Sequence, residues 1–282
     1  MKYATCIKQI EIDALWSGRK HILWTLDPHV NILSGINGVG KSTILNKVLR
    51  SINGNGDLQN HVLKGVHITV EPEDATHIRF DMIRSLDSPI ARSEDGGARR
   101  DAGVTADFAY SPLMAPSASM LDYQLYHLQR KYLDYQVNIG NRIIAAVQQG
   151  HADAAQQLSQ SKARFQDLVD DLFQETGKKI IRTENEIRFS LIMGETLQPY
   201  QLSSGEKQML AILLTVLVED RQPYVLFMDE PEVSLHIEWQ KRLIDLILEL
   251  NPNVQILLTT HSPAVIMNGW ADCVTEVSDI TV

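Results

Sequence analysis

The sequence predicts an α/β fold, with a mixed β-sheet N-terminal lobe, a parallel sheet flanked by helices, and a helical-hairpin insertion. Three observations predict it. Apolar and polar residues alternate in strand-sized pieces at the N-terminus, helix and strand patterns alternate beyond Leu202, and between them apolar residues recur by fours and threes.

The first strands are CIKQIEI (Cys6 to Ile12), HILWTL (His21 to Leu26) and VNILSG (Val30 to Gly35), followed by a helix from Ser42. After the turn-rich NGNGD (Asn53 to Asp57) come two more strands, VHITVEP and HIRFDMI. The polar stretch Asp87 to Gly103 is expected to be mobile, and DFAYS (Asp107 to Ser111) reads as a further strand.

From Ser119 to Thr176 the pattern is helical. Leu121, Leu125, Leu128, Tyr132, Tyr135 and Ile139 mark a heptad-like seam that continues through Ile143 and Val147. A break at Gly150 and His151 precedes Leu158, Phe165, Leu168 and Leu172, so the two segments read as an antiparallel hairpin with arms of about 40 Å. Apolar residues beyond the seam favour a hairpin packed on its own domain over a projecting arm. Strand patterns return at KIIRT and EIRFSLIM. The chain then alternates MLAILLTVLV, YVLFMD, IEWQKRLIDLILEL and VQILLTT, the order of an α/β core with buried parallel strands. The expected division is residues 1–118 and 178–282 for the core and residues 119–177 for the hairpin.

A length of 282 residues with 44% hydrophobic content supplies a substantial core. The longest apolar runs fall short of the roughly 20 residues of a membrane span, and the N-terminus lacks a secretion-signal pattern, so a cytoplasmic location is expected. Cys6 and Cys273 are far apart and form no C-x-x-C pair, which argues against a zinc ribbon or disulfide framework. The net charge of −9 is not the footprint of a dedicated nucleic-acid binder. Arg99 with Arg100, and Lys178, Lys179 and Arg182, are short basic groups best read as solvated surface, although local nucleic-acid contact stays open.

Chemistry gathers in four places. GINGVGKS (Gly35 to Ser42) matches the phosphate-loop pattern after a strand and at the start of a helix. Gly35, Gly38 and Gly40 let backbone amides face phosphates, Lys41 adds a charge, Ser42 offers a hydroxyl to Mg²⁺, and Asn37, Val39 and Thr43 complete the candidate nucleotide-binding set. In YVLFMDEPE the strand ends in two acids: Asp229 is placed to hold the metal through its water shell and Glu230 to address an attacking water. TTHSP places His261 after a second buried strand, where it is a candidate to donate to the terminal phosphate or to hold the catalytic glutamate and water in line. LSSGEKQ presents Ser203, Ser204, Gly205 and Glu206, which form a capping box ahead of an apolar helix.

Taken in this order, the four pieces resemble the ATP-binding cassette (ABC) ATPase superfamily over Met1 to about Arg84 and Lys178 to Val282. That resemblance implies a P-loop ATPase head, ATP and Mg²⁺ as cofactors, and a signature motif contacting the γ-phosphate of ATP held by an opposite subunit. EPEVSLH (Glu230 to His236), the LSSGEKQ spelling and the helical insertion resemble the soluble RecF, SMC and overcoming-lysogenization-defect branch, particularly small bacterial AAA-family ATPases of phage-defence systems. By this likeness Ser234, Leu235 and His236 cross a dimer interface. The glutamine loop of the superfamily has no evident counterpart: SPLMAPS follows DFAYS, and no glutamine appears until Gln124.

The expected function is an ATP-hydrolysing homodimeric switch with catalytic Glu230, His261 and Lys41. Because the chain holds no second constellation for cutting nucleic acid, a separate effector, a nuclease by expectation, is assigned to the hairpin. A RecF-type DNA-repair scaffold is the alternative. A transporter ATPase subunit fits less well, because EPEVSLH is not the spelling of transport cassettes.

Overall fold

A computed structural model describes residues 1–15, 20–52, 56–58, 63–84 and 119–282. The polar stretch Asp87 to Gly103, the strand DFAYS, the Arg99–Arg100 pair and SPLMAPS lie outside the described residues. The chain divides into two compact units, one of Met1–Ser85, Arg221–Leu248 and Pro252–Val282, the other of Leu86–Asp220 and Glu249–Asn251.

In the first unit, strand β1 (Cys6–Leu15) pairs antiparallel with β2 (Lys20–Thr25). β3 (Val30–Ser34) leads through a loop to helix α1 (Lys41–Ser51), and β4 (Val66–Glu71) returns to the other edge of β1. The resulting order is β2-β1-β4. Ile7, Ile10, Ile12 and Leu15 of β1 are all fully buried while Lys8 and Asp13 face water, which is the alternation of a sheet covered on one side. β5 (Phe80–Arg84) belongs to a second, parallel sheet, to which later segments contribute.

The other unit is mainly helical. α2 (Met120–Gln148) and α3 (Ala152–Leu172) form the hairpin, turning at Gly150, and both pack on α4 (Ser204–Val218). Leu121, Leu125, Leu128, Tyr132, Tyr135 and Ile139 are buried, as the heptad spacing predicts, so this part lies packed within its own unit. The seam stops there: Val147 is exposed and Ile143 only half-buried, because among the described residues no further helix covers the turn end of the hairpin. Three two-residue strands, β6 (Lys179–Ile180), β7 (Phe189–Ser190) and β8 (Thr196–Leu197), form a small antiparallel sheet where KIIRT and EIRFSLIM predict longer strands.

The chain then re-enters the first unit with β9 (Tyr224–Asp229), α5 (Ile237–Leu250), β10 (Val254–Thr259), the short α6 (Pro263–Met267) and β11 (Val274–Glu276). The last turn of α5 is counted in the helical unit. The five-stranded sheet has the order β11-β3-β10-β9-β5 and is parallel throughout. β9 and β10 lie inside it, so nearly every residue of YVLFMD and VQILLT is buried; truncating Leu257 to Ala would cost about 2–5 kcal/mol. Buried Gln255 joins the two sheets of this unit: its Nε2 donates to the carbonyls of Ile7 and Asp27 (both 2.8 Å), and its Oε1 accepts from the Ile7 amide at 2.7 Å. The C-terminal edges of β3, β9 and β10 share one end of this sheet, and there the motifs meet.

Candidate nucleotide site

Residues 35–40 connect β3 to α1 without a side-chain cap on the helix, and the first turn of α1 carries no acid. The start of such a helix carries unpaired amides and a partial positive charge, which favour an anion. Gly40 occupies the cap position with φ 106°, a conformation costly for any residue with a Cβ. A Cβ on Gly35 would come within 2.9 Å of Val39 Cγ1, so both glycines are required by the loop's path. Asn37 and Gly38 are exposed at the crest, Val39 is half-buried, and Thr43 faces solvent one residue beyond Ser42.

Lys41 is only 4% exposed, yet its ammonium contacts no carboxylate. It donates to the carbonyls of Gly35 (2.9 Å) and Ile36 (3.4 Å) and stands 2.6 Å from His261 Nε2. Burial pulls its pKa below the ordinary lysine value, and the charges of Glu230, Asp229 and Glu232 only partly offset that. A desolvated cation with surplus donors suits an anionic ligand.

β9 delivers Asp229 to the same place. Its Oδ1 accepts from Ser42 Oγ at 2.8 Å and from Thr259 Oγ1 at 2.6 Å. Glu230 does not continue the strand: it takes φ 48°, and its amide donates to the carbonyl (3.1 Å) and hydroxyl (3.2 Å) of Thr259. The two acids diverge because the backbone turns there, rather than because a strand alternates. Glu230 Oε1 lies 2.9 Å from His261 Nε2. One imidazole nitrogen thus faces an ammonium and a carboxylate together; a neutral ring can accept from Lys41 or donate to Glu230, but not both. A phosphate oxygen or water entering there would relieve that competition.

Sequence reasoning assigned no part to three neighbours that hold this geometry. Thr259 links Asp229 to the Glu230 backbone. Glu232, 5% exposed, accepts at one oxygen from the Thr260 hydroxyl and from the His261 amide (3.1 Å). Gln240 donates to the carbonyls of Glu232 (3.2 Å) and Leu235 (2.9 Å) and accepts from Ser262 Oγ at 2.6 Å. The doubled threonine in TTHSP and the third acid in DEPE were the available signals.

The signature segment lies in the helical unit. Ser203 caps α4, accepting from the Glu206 amide at 3.4 Å, while Glu206 Oε2 accepts from the Ser203 amide (3.0 Å) and hydroxyl (2.9 Å). The other oxygen of Glu206 accepts from Lys178 (2.7 Å) and Thr176 (2.8 Å). Burial alone would raise the pKa of this acid, but the bonds from Lys178, Ser203 and Thr176 outweigh it and hold the pKa below 4.5. Its carboxylate is committed within the unit, whereas Ser203 and Ser204 are exposed and Gly205 half-buried. The basic group ahead of it is largely neutralised: Lys178 pairs with Glu206, and Arg182 with Asp167 and Asp170 (both 2.7 Å). Gln124, the nearest glutamine to the missing glutamine loop, sits half-buried on α2.

On the N-terminal sheet, Glu11, Asp13 and His21 bring one ligand atom each within 4.8 Å of one another on a solvent-facing surface. Among the described residues no helix is long and apolar enough to cross a membrane.

Residues 114–268, more than half of the chain, match the family model AAA_21, described as "AAA domain, putative AbiEii toxin, Type IV TA system". The Septu protein PtuA of Bacillus thuringiensis is 26% identical over 297 residues, covering 91% of this chain and 72% of PtuA. The Retron Vc95 probable ATPase of Vibrio cholerae is 25% identical over 113 residues, 36% of this chain and 22% of that protein. Among solved structures, the SmcHead bound to the C-winged helix domain of ScpA superposes with a TM-score of 0.52 at 16% identity, covering 93% of this chain and 91% of that one. That likeness concerns the fold: a parallel sheet flanked by helices with an antiparallel lobe. A family match over more than half of its length makes this chain a member of the AAA_21 family, with a fold like that of an SMC head.

Proposed function

We propose that the chain is an ATP-hydrolysing switch in which two copies enclose two ATP molecules and turnover loosens the pair. The convergence of Lys41, Glu230 and His261 on one point beside the free start of α1 carries this reading. The loop amides and Lys41 bind and orient the triphosphate. Glu230 takes the proton of an attacking water, and His261 holds that water or the terminal phosphate oxygen in line. Ser42 Oγ and Asp229 Oδ1, 2.8 Å apart, form the oxygen pair a hard cation takes, so the residues present fit Mg²⁺. When bound, the cation supplies charge neutralisation on phosphate oxygens. Ser203, Ser204 and Gly205 serve the ATP of the neighbouring copy, with Glu206 fixing the cap that presents them.

The purpose of such a switch is read as control of a separate effector, a nuclease by preference, docked on residues 119–177; the relatives in Bacillus and Vibrio support only the setting, bacterial phage defence. DNA maintenance of the RecF kind is the second reading, and the pairing of Lys178 and Arg182 with acids weighs against it. Phosphate release tests the chemistry: Glu230→Gln should lose about 10²- to 10⁴-fold in turnover while still binding Mg-ATP. Unchanged turnover would remove Glu230 from the role.

A further inference from the structure

The segment from Glu232 to His236 and the turn from Thr260 to Ser262 come from different parts of the chain, yet side chains bolt them together. Glu232 reaches the Thr260 hydroxyl and the His261 amide with a single oxygen. Gln240, one turn into α5, holds the carbonyls of Glu232 and Leu235 with its amide nitrogen and takes Ser262 Oγ on its oxygen. Ser262 in turn donates its amide to Thr260 Oγ1 at 2.9 Å, closing the turn on itself. The second oxygen of Glu232 is buried without a hydrogen-bond partner, a costly arrangement that calls for an explanation beyond stability. On the outside of the same segment Val233 is 62% and Ile237 47% exposed, two apolar side chains facing solvent beside a rigid brace.

We propose that Glu232 and Gln240 are positioning residues for the imidazole of His261. This rests on the reading that His261 acts on ATP. A displacement of the segment carries the Glu232 carboxylate and the Gln240 amide with it, and the His261 backbone follows because its amide and its neighbours' hydroxyls are held by those groups. Misplacing a reacting group by about 1 Å is enough to cost about 10²-fold in rate.

The test measures Mg-ATP turnover of the full chain for Glu232→Ala, Glu232→Gln and Gln240→Ala, each alone and combined with His261→Ala. Thermal melts confirm folding. Glu232→Ala is expected to lower kcat by about 10²-fold with KM for ATP within about twofold, and Gln240→Ala by about tenfold. Glu232→Gln retains an oxygen for Thr260 and His261 and should recover most of the loss. In the His261→Ala background all three should add almost nothing, because a group that acts through His261 has nothing left to position. Losses that add fully to that of His261→Ala would overturn the inference, as would a Glu232→Gln variant as slow as Glu232→Ala. If His261→Ala alone leaves kcat unaltered, the underlying reading of the site fails instead.

Discussion

Helix starts hold lysine in opposite ways in the two units. In the helical unit Lys178 meets Glu206 at 2.7 Å and Lys207 meets Asp122 at 2.8 Å, and both acids are also the third residue of a capping box, at the starts of α4 and α2. Both of these lysines have a counter-charge, and each pair ties a helix start in place. In the other unit Lys41 is more deeply buried, but the hydrogen-bond partners of its ammonium are carbonyls and an imidazole nitrogen. Satisfied buried ion pairs build structure, whereas a buried cation without a carboxylate partner keeps its donors for a ligand.

Breaking that contrast should have its largest effect at Lys41. Lys41→Met is expected to lower ATP turnover by about 10²- to 10³-fold, as loss of one preorganised donor does. It should also raise the stability of the nucleotide-free chain by about 1 kcal/mol, because a desolvated charge is removed. Urea unfolding read beside phosphate release checks both signs. A fall in stability would mean that Lys41 is structural after all.

Lys178→Met should do the reverse. Leaving Glu206 buried without its cation is expected to cost about 3 kcal/mol in the same unfolding experiment. An unaltered midpoint would show that the remaining bonds from Thr176 and Ser203 suffice.

The depressed pKa of Glu206 gives a smaller, pH-dependent effect. A carboxylate whose pKa is lower in the folded chain contributes stability above its ordinary value of 4.5, and that contribution is lost as pH falls through the folded value. Melting temperature should therefore drop more steeply below pH 4.5 in the parent chain than in Glu206→Gln. The smallest effect lies at the alkaline end. Burial pushes the Tyr132 hydroxyl up to about 12, so its contribution is present below pH 10 and is lost as pH rises from 10 towards 12. Tyr132→Phe should flatten that limb of the stability profile.

This contrast also marks what the sequence could disclose. The phosphate loop, the DE pair, TTH and the Ser203 capping box are local: each is written in consecutive residues, and the chemistry needs those types at that spacing. The heptad seam was legible as far as Ile139 for the same reason, and illegible beyond it because Val147 keeps the period while no helix among the described residues buries it. Pairings across long separations left no local trace. Lys178 looked like one of three surface cations until the fold brought Glu206 beside it, and Glu232 had no assigned part until β10 placed His261 within reach. β11 was missed because a three-residue edge strand shows no periodicity.

The central claim is that the signature serines of one copy complete the ATP site of another, and the molar mass of Glu230→Gln by light scattering with Mg-ATP tests it most directly. The result expected is close to twice the 31.7 kDa of one chain with Mg-ATP and one chain without nucleotide, with the doubling lost when Ser204→Arg is added. A mass of one chain in saturating Mg-ATP, with ATP demonstrably bound, would contradict it.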